Sequence, residues 1–197
     1  MSRLPTAEEL FDTYFRPWYP DQGNDRTLYG LLPDLEEIEL PTGTPISVLQ
    51  PLDDRKDRQA VLAHLERMTE AAQQDFAPLL GIQAPFGPHW IAAFEEQVDE
   101  GQIQKWIEQS PPDDLQNNLL LIVCETALLL AEELIARRPG LQWLPDVPYW
   151  ESALFDLNTR VRIPVFHWVI KRLAADYEKE PLLPKIEAAV SFIEDTP

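Results

Sequence analysis

A chain of 197 residues suits a single domain, and an apolar fraction of 45% with six Trp excludes a disordered protein. Its 34 acidic and 16 basic residues give a net charge of −18, which disfavours nucleic acid and anionic membranes as partners and favours basic proteins. The single cysteine, Cys124, excludes an intramolecular disulfide.

The N-terminal region predicts a short helix followed by a proline-rich segment. Thr6 and Glu9 have the spacing of a capping box, which predicts a helix over about 7–16. Residues 17–52 are rich in Pro and other turn formers, and we expect them to wrap the core, with a candidate hairpin at 36–49. The opening MSRLPTAEELFD lacks the apolar core of a signal peptide, so we expect a cytoplasmic protein.

Three helices are predicted in the next part of the chain. Asp53 or Asp54 can cap the first of them, whose apolar residues recur at helical spacing up to Pro78. Pro88 suits the start of the next helix, and QIQKWIEQ, residues 102–109, predicts one or two further turns.

The stretch LLLIVCETALLLAEELIA, residues 119–136, is the most apolar part of the chain. Its longest uninterrupted apolar run is six residues, far below the ~20 that a membrane span needs. It therefore predicts a central core helix over 114–138 and no membrane association. We expect Asp113 or Asp114 to cap this helix and Pro139-Gly140 to end it.

WESALFDLNTRVRIPVFHW predicts a β-hairpin within residues 152–165. A two-residue loop would pair Phe155 with Arg162 and mix charge into each face of the hairpin. A three-residue loop, residues 158–160, pairs Phe155 with Ile163 and gives one wholly apolar face. Since a slip of one residue exchanges the two faces, the sequence favours the three-residue loop.

The last part of the chain predicts two further helices, one from Pro164 to about 177 and one over about 182–194. Together these elements predict a predominantly α-helical α+β fold. About six helices surround the long helix 114–138, with one or two small β-hairpins, in a single compact domain spanning 1–197.

Glu125 is the first candidate for a buried polar site. It shares one stripe of its helix with Asn118 and Glu132, at intervals of seven residues. Either the stripe is wet and Glu125 is half exposed, or Glu125 is buried and needs a cation. The candidate partners are Arg160, Arg162, Lys171, Arg172 and His167, and of these Arg160, Arg162 and His167 form the predicted buried polar site with Glu125.

Familiar catalytic signatures are missing from the sequence. Its three His are scattered, there is no Cys pair for zinc, and no glycine-rich phosphate loop or Ser nucleophile motif is present. No catalytic or metal-binding residue is therefore assigned, no cofactor is expected, and an enzyme is disfavoured.

Acidic residues are concentrated in residues 68–136, which hold twelve Asp and Glu against one base, Lys105. We expect the acidic lobe around Glu95–Asp114, within this range, to dock a basic protein. The aromatic residues of PGLQWLPDVPYWE either cap the core or anchor that partner. The predicted partner-binding residues are Glu95, Glu96, Asp99, Glu100, Glu108, Asp113, Asp114, Trp143 and Trp150.

Three functional hypotheses follow from these patterns. The favoured one is a small acidic interaction protein of bacterial type, such as an immunity protein or inhibitor that blocks a basic toxin. The second is a structural or oligomeric module, in which the long apolar helix pairs with that of a second copy. The third is an enzyme with an unfamiliar site around Glu125 and His167.

Overall fold

The computed structural model describes residues 3–19, 36–37, 55–80 and 89–195, and these form a predominantly helical α+β fold, as predicted. The helices in the described ranges are α1 (Ala7–Tyr14), α2 (Arg55–Leu80), α3 (Trp90–Gln97), α4 (Glu100–Glu108), α5 (Asn118–Arg137), α6 (Val165–Arg172) and α7 (Leu182–Asp195). The strands are β1 (Glu36–Glu37), β2 (Leu141–Leu144), β3 (Ala153–Asp156) and β4 (Val161–Ile163).

Helix α1 starts at the predicted capping box. The backbone N–H of Glu9 donates to Thr6 Oγ1 at 3.2 Å, and the N–H of Thr6 donates to Glu9 Oε2 at 2.7 Å. The helix buries Leu10, Phe11 and Tyr14 and ends two residues earlier than predicted, because the chain turns into the 3-10 segment Arg16–Trp18 at Pro17.

Helix α5 is the central helix, and it packs against α2, α4, α6 and α7. The prediction that Asp113 or Asp114 caps this helix is wrong, because Asn117 accepts a hydrogen bond from the N–H of Leu120 at 2.9 Å. Asp114 instead accepts from the N–H of Gln116 at 2.8 Å, inside the turn that precedes the helix. The helix therefore starts four residues later than predicted. It buries most of its residues, as a core helix does.

The strands form one antiparallel sheet in the order β1-β4-β3-β2. Strand β2 pairs along its whole length with β3, from Leu141 opposite Asp156 to Leu144 opposite Ala153. The sequence prediction placed no strand in this stretch. Of the candidate hairpin at 36–49, Glu36 and Glu37 pair with β4, and the rest lies outside the described residues.

The β3–β4 hairpin forms as predicted, but its predicted register is wrong by one residue. Phe155 lies opposite Arg162, and Leu154 lies opposite Ile163. This is the register of the two-residue alternative, but the strands stop at Asp156 and Val161, so the loop is residues 157–160, closed by a hydrogen bond from Arg160 N–H to the carbonyl of Asp156 at 2.8 Å. The prediction assumed one solvent-facing side, but all four residues of β3 are buried, so both faces are interior.

Helix α6 follows Pro164 and is buried at all eight positions. It ends at Arg172, about five residues earlier than predicted, whereas α7 matches its predicted range. Described helices and strands contribute to one apolar core, in which Trp168, Phe11, Phe15, Phe94, Phe155 and Phe166 are among the largest fully buried side chains. Most of the predicted wrapping segment 17–52 lies outside the described residues.

No helix in the described ranges is both long and apolar enough to cross a membrane. The 20-residue helix α5 has the most apolar sequence, and its apolar surface is covered by other helices of the same chain.

Candidate functional site

A buried carboxylate, that of Glu151, is the centre of one polar cluster that the structure describes. The phenol of Tyr19 donates a hydrogen bond to Glu151 Oε1, and His167 Nε2 lies 3.5 Å from the same oxygen. The guanidinium of Arg162 donates from Nη2 to the backbone carbonyl of Glu151 at 3.3 Å. We call Tyr19, Glu151, Arg162 and His167 the Glu151 cluster.

Each member of the Glu151 cluster comes from a different element. Tyr19 directly follows the 3-10 segment Arg16–Trp18, and Glu151 ends the 3-10 turn Tyr149–Glu151. Arg162 is in β4, and His167 is in the first turn of α6. The short Tyr149–Glu151 turn follows Pro148 and leads directly into β3, which places the carboxylate inside the core.

Aromatic rings enclose the carboxylate and the imidazole. The ring centroid of Phe11 lies 5.7 Å from that of His167, and the centroid of Phe15 lies 5.7 Å from that of Trp150. Relative exposures of 7% for Tyr19, 3% for Glu151 and 1% for His167 show that water has little access to these groups. An ionised carboxylate in such surroundings needs partners, and an imidazole and a phenol supply them.

The structure brings together two of the four residues predicted for a buried polar site, Arg162 and His167. The carboxylate that they meet is Glu151, which the sequence prediction did not select. Arg160 lies at the hairpin tip, half-buried, with a positive φ of 62°. Glu125 is also half-buried, and its charge acts on Cys124 and Tyr149. Asn118 and Glu132 are exposed, so the stripe that they share with Glu125 is the more solvent-exposed side of α5.

A single signal could have identified Glu151 in the sequence. It is the one acidic residue in the run VPYWESALF, where every neighbour is apolar, aromatic, or small. An acidic residue in such a run is a candidate for a buried, partnered carboxylate. The prediction used this run for its two aromatic residues and overlooked the carboxylate between them.

A second polar contact involves Cys124 in the middle of α5. Tyr149 Oη donates to Cys124 Sγ at 3.2 Å, and the ring of His64 lies edge-on to Tyr149 with centroids 4.8 Å apart. Burial raises the pKa of the Cys124 thiol from the ordinary 9.0 to about 12, and burial lowers the pKa of His64, with a further contribution from Arg67. The thiol therefore stays protonated at neutral pH and is not a nucleophile.

The acidic segment, which we define as residues 95–114, carries six exposed carboxylates. These are Glu96, Asp99, Glu100, Glu108, Asp113 and Asp114. Lys105 is the single base in that range. Asp99 has a structural role as well, since its carboxylate accepts from the N–H of Gln102 at 2.8 Å and caps α4. The predicted acidic residues thus face solvent, with one exception.

That exception is Glu95, which is committed to contacts within the chain. Its carboxylate accepts a hydrogen bond from the N–H of Leu182 and lies 3.9 Å from Arg172 Nε. Arg172 also donates from Nη2 to the carbonyl of Val98 at 3.2 Å. Glu95 therefore joins α3 to α6 and α7, and it is not a free surface carboxylate.

The two tryptophans of the predicted partner-binding set lie inside the fold to different degrees. Trp150 is 3% exposed and packs edge-on against Phe15, Tyr19 and Tyr149, so it caps the core and does not project toward a partner. Trp143 is half-buried, with its ring centroid 6.2 Å from that of Phe166. Of the two alternatives that the sequence left open for this residue, the burial of Trp150 agrees with a cap on the core.

Within the described ranges, no three His, Cys, Asp or Glu side chains are grouped closely enough to hold a metal ion. Comparisons with models of known protein families, with characterised proteins and with solved structures found no match to this chain.

Proposed function

We propose that this chain is a cytoplasmic interaction protein that binds a basic protein partner through its acidic segment, residues 95–114. The observation that carries the proposal is the exposure of six carboxylates in that segment beside one base, Lys105. A surface of one sign attracts a partner of the opposite sign and accelerates its association.

The burial of the basic side chains next to the acidic segment also supports the proposal. Arg172 is buried and is held by the carbonyls of Glu95 and Val98, and Lys171 beside it in α6 is buried as well. These two side chains are therefore not offered to an acidic partner at the surface. The described surface near α3 and α4 presents carboxylates and few cations to solvent.

An immunity protein or inhibitor is the specific form of this proposal. Such a protein must capture a basic toxin or nuclease before it acts, and electrostatic steering provides the required association rate. It needs no catalytic group of its own. Tight and salt-sensitive binding follows from this form of the proposal.

The test compares two variants of equal net charge. E96K/E108K/D113K reverses three exposed charges in the acidic segment, and E66K/E70K/E187K reverses three exposed charges on α2 and α7. Each reversal adds two charges, so both variants change the net charge by six, from −18 to −12. Each protein is immobilised and exposed to the native cell lysate at low salt, and bound proteins are eluted with rising salt.

A basic protein retained by the wild type and by E66K/E70K/E187K, but lost with E96K/E108K/D113K, would support the proposal and identify the partner. Its dissociation constant should be below about 1 μM at low salt and should rise steeply with salt. Equal retention by all three proteins, or no retention of a basic protein, contradicts the proposal.

Two alternatives need different evidence. Pairing of α5 with a second copy needs a free apolar face, yet α5 is covered by α2, α4, α6 and α7 of its own chain. An enzyme around Glu125 and His167 needs these groups in one accessible site, but His167 is buried against Glu151. Neither alternative has an observation that favours it over the interaction protein.

A further inference from the structure

The turn between α4 and α5, which we define as residues 110–117, carries Asp113 and Asp114 of the acidic segment. Its inner residues are all exposed, whereas its two ends, Ser110 and Asn117, are each 3% exposed. Exposed side chains gain no apolar packing on folding, so this turn is ordered by the polar contacts that hold its two ends.

The end of the turn at Asn117 is held by residues of the turn itself. The backbone N–H of Asn117 donates to the carbonyl of Asp114 at 3.2 Å, and Asn117 Nδ2 donates to the same carbonyl at 2.6 Å. The N–H of Gln116 donates to Asp114 Oδ1 at 2.8 Å. These contacts are local to the start of α5 and do not connect the turn to a distant part of the chain.

The end of the turn at Ser110 is held by the N-terminal segment, residues 3–19. Tyr14 Oη, in α1, donates to the carbonyl of Ser110 at 3.1 Å and lies 3.3 Å from the carbonyl oxygen of Ile107 in α4. Ser110 Oγ accepts from the N–H of Leu119 in α5 at 2.9 Å. Tyr14, which is 4% exposed, therefore connects α1 to the last turn of α4 and, through Ser110, to the first turn of α5.

We propose that Tyr14 is a positioning residue, through which the docking of residues 3–19 controls the order of the α4–α5 turn. The biological role of this control rests on the proposed function, because the turn carries two of the six exposed carboxylates offered to a basic partner. The N-terminal segment regulates the docking surface through the conformation of this turn.

Loss of the phenol donor should loosen the turn, because the Ser110 carbonyl is then buried without a partner. Among the described residues, Tyr14 is the one donor to this carbonyl. A buried carbonyl that loses its donor regains a hydrogen bond by moving into water, and the exposed turn beside it has no packing that resists this movement. One buried hydrogen bond of this kind corresponds to about a tenfold increase in the opening equilibrium of the turn.

The coupling between α1 and the turn acts in both directions. If docking of α1 favours the ordered turn, then the ordered turn favours docking of α1 by the same factor. A basic partner that binds the ordered turn should therefore also stabilise α1 on the core. It binds more tightly when the turn is already ordered, because less conformational entropy is lost on binding.

Amide hydrogen exchange of the free protein compares the wild type with Y14F and Y149F. Y14F removes the donor to Ser110 and keeps the ring in the core, whereas Y149F, the matched control, removes a phenol hydroxyl that donates elsewhere in the core. The protection factors of the Gln116, Asn117 and Leu119 amides should fall about tenfold in Y14F and stay unchanged in Y149F. Amides in the middle of α5 report the global stability, which both variants lower.

Three results overturn the coupling. If the three turn amides keep their wild-type protection in Y14F, or exchange without protection in the wild type, Tyr14 does not hold the turn. If Y149F lowers their protection as much as Y14F does, the effect is a general loss of stability.

Partner binding distinguishes regulation from a purely structural role of Tyr14. The basic protein that the wild type retains from the lysate should elute from Y14F at lower salt than from Y149F. Equal elution from the two variants refutes the control of docking by Tyr14. Because the exchange measurement needs no partner, a lysate without a retained basic protein contradicts the proposed function, whereas unchanged turn protection in Y14F contradicts this coupling alone.

Discussion

Arg160 holds the one positive φ angle recorded for a non-glycine residue in the described structure, 62°. A side chain in the left-handed region costs roughly 1–2 kcal/mol, and glycine avoids most of that cost. We expect R160G to be more stable than R160A by about 1 kcal/mol, because both remove the side chain and only glycine relieves the backbone. Urea unfolding of the two variants measures the difference. Equal stabilities would mean that the loop relaxes around alanine.

Cys124 makes the free energy of unfolding decrease at alkaline pH. Its thiol has a pKa of about 12 when folded and about 9.0 when exposed, so above pH 9 the unfolded chain loses a proton that the folded chain keeps. The stabilisation that this group gives is complete below pH 9 and is lost as the pH rises toward 12.

We therefore expect the unfolding equilibrium of the wild type to rise with pH above 9 more steeply than that of C124A, by up to about tenfold per pH unit. Urea titrations at pH 7, 9, 10 and 11 provide the measurement. C124A also loses packing, but that loss is the same at every pH and does not change the slope. Parallel pH profiles would show that the thiol is accessible to water.

Asn117 caps helix α5, and the backbone groups before and at the start of the helix are satisfied by side chains. Asn117 Oδ1 accepts from the N–H of Leu120, its Nδ2 donates to the carbonyl of Asp114 at 2.6 Å, and Ser110 Oγ accepts from the N–H of Leu119. We expect N117A to lower the free energy of unfolding by about 1–2 kcal/mol. D113A, which removes one of the caps that the sequence suggested, should change it by less than about 0.5 kcal/mol. The opposite order would place the start of α5 at Asp113.

At the scale of elements, periodicity predicted the helices well and the short strands poorly. The capping box of Thr6 and Glu9 and the apolar stretch of α5 are local signals, and each gives a helix near its predicted position. The register of β3 and β4 is not local, because it depends on which faces the rest of the chain covers. All four residues of β3 are buried here, so the rule of one apolar and one polar face selected the wrong partner for Phe155.

The candidate site could be predicted only in part, because its exposed carboxylates give a local signal in the sequence and its buried cluster does not. Exposure of Asp99, Glu100 and Asp113 follows from composition and helical periodicity, and these residues do face solvent. The meeting of Tyr19, Glu151 and His167 joins residues up to 148 positions apart in the chain. No spacing rule connects such distant positions, so only the fold reveals that the carboxylate has these partners.

The whole molecule carries a net charge of −18, and its self-repulsion should make stability depend on salt. At about 0.02 M salt the screening length exceeds 20 Å and repulsion acts across much of the molecule, whereas at about 0.5 M it falls to about 4 Å. Surface ion pairs such as Arg137–Glu133 are also screened, but exposed pairs contribute little. Added salt should therefore stabilise this protein.

We expect the free energy of unfolding in urea to rise by about 1 kcal/mol between these two salt concentrations. The variant E66K/E70K/E187K, with a net charge of −12, should gain less from salt than the wild type, because less repulsion remains to be screened. E96K/E108K/D113K should show the smallest gain, since it reverses charges in the segment where carboxylates are most concentrated. A fall in the free energy of unfolding on adding salt would contradict this prediction, because it would mean that ion pairs contribute more than the repulsion. Repulsion among the carboxylates of the acidic segment would then not destabilise the fold, and a basic partner would have none to relieve.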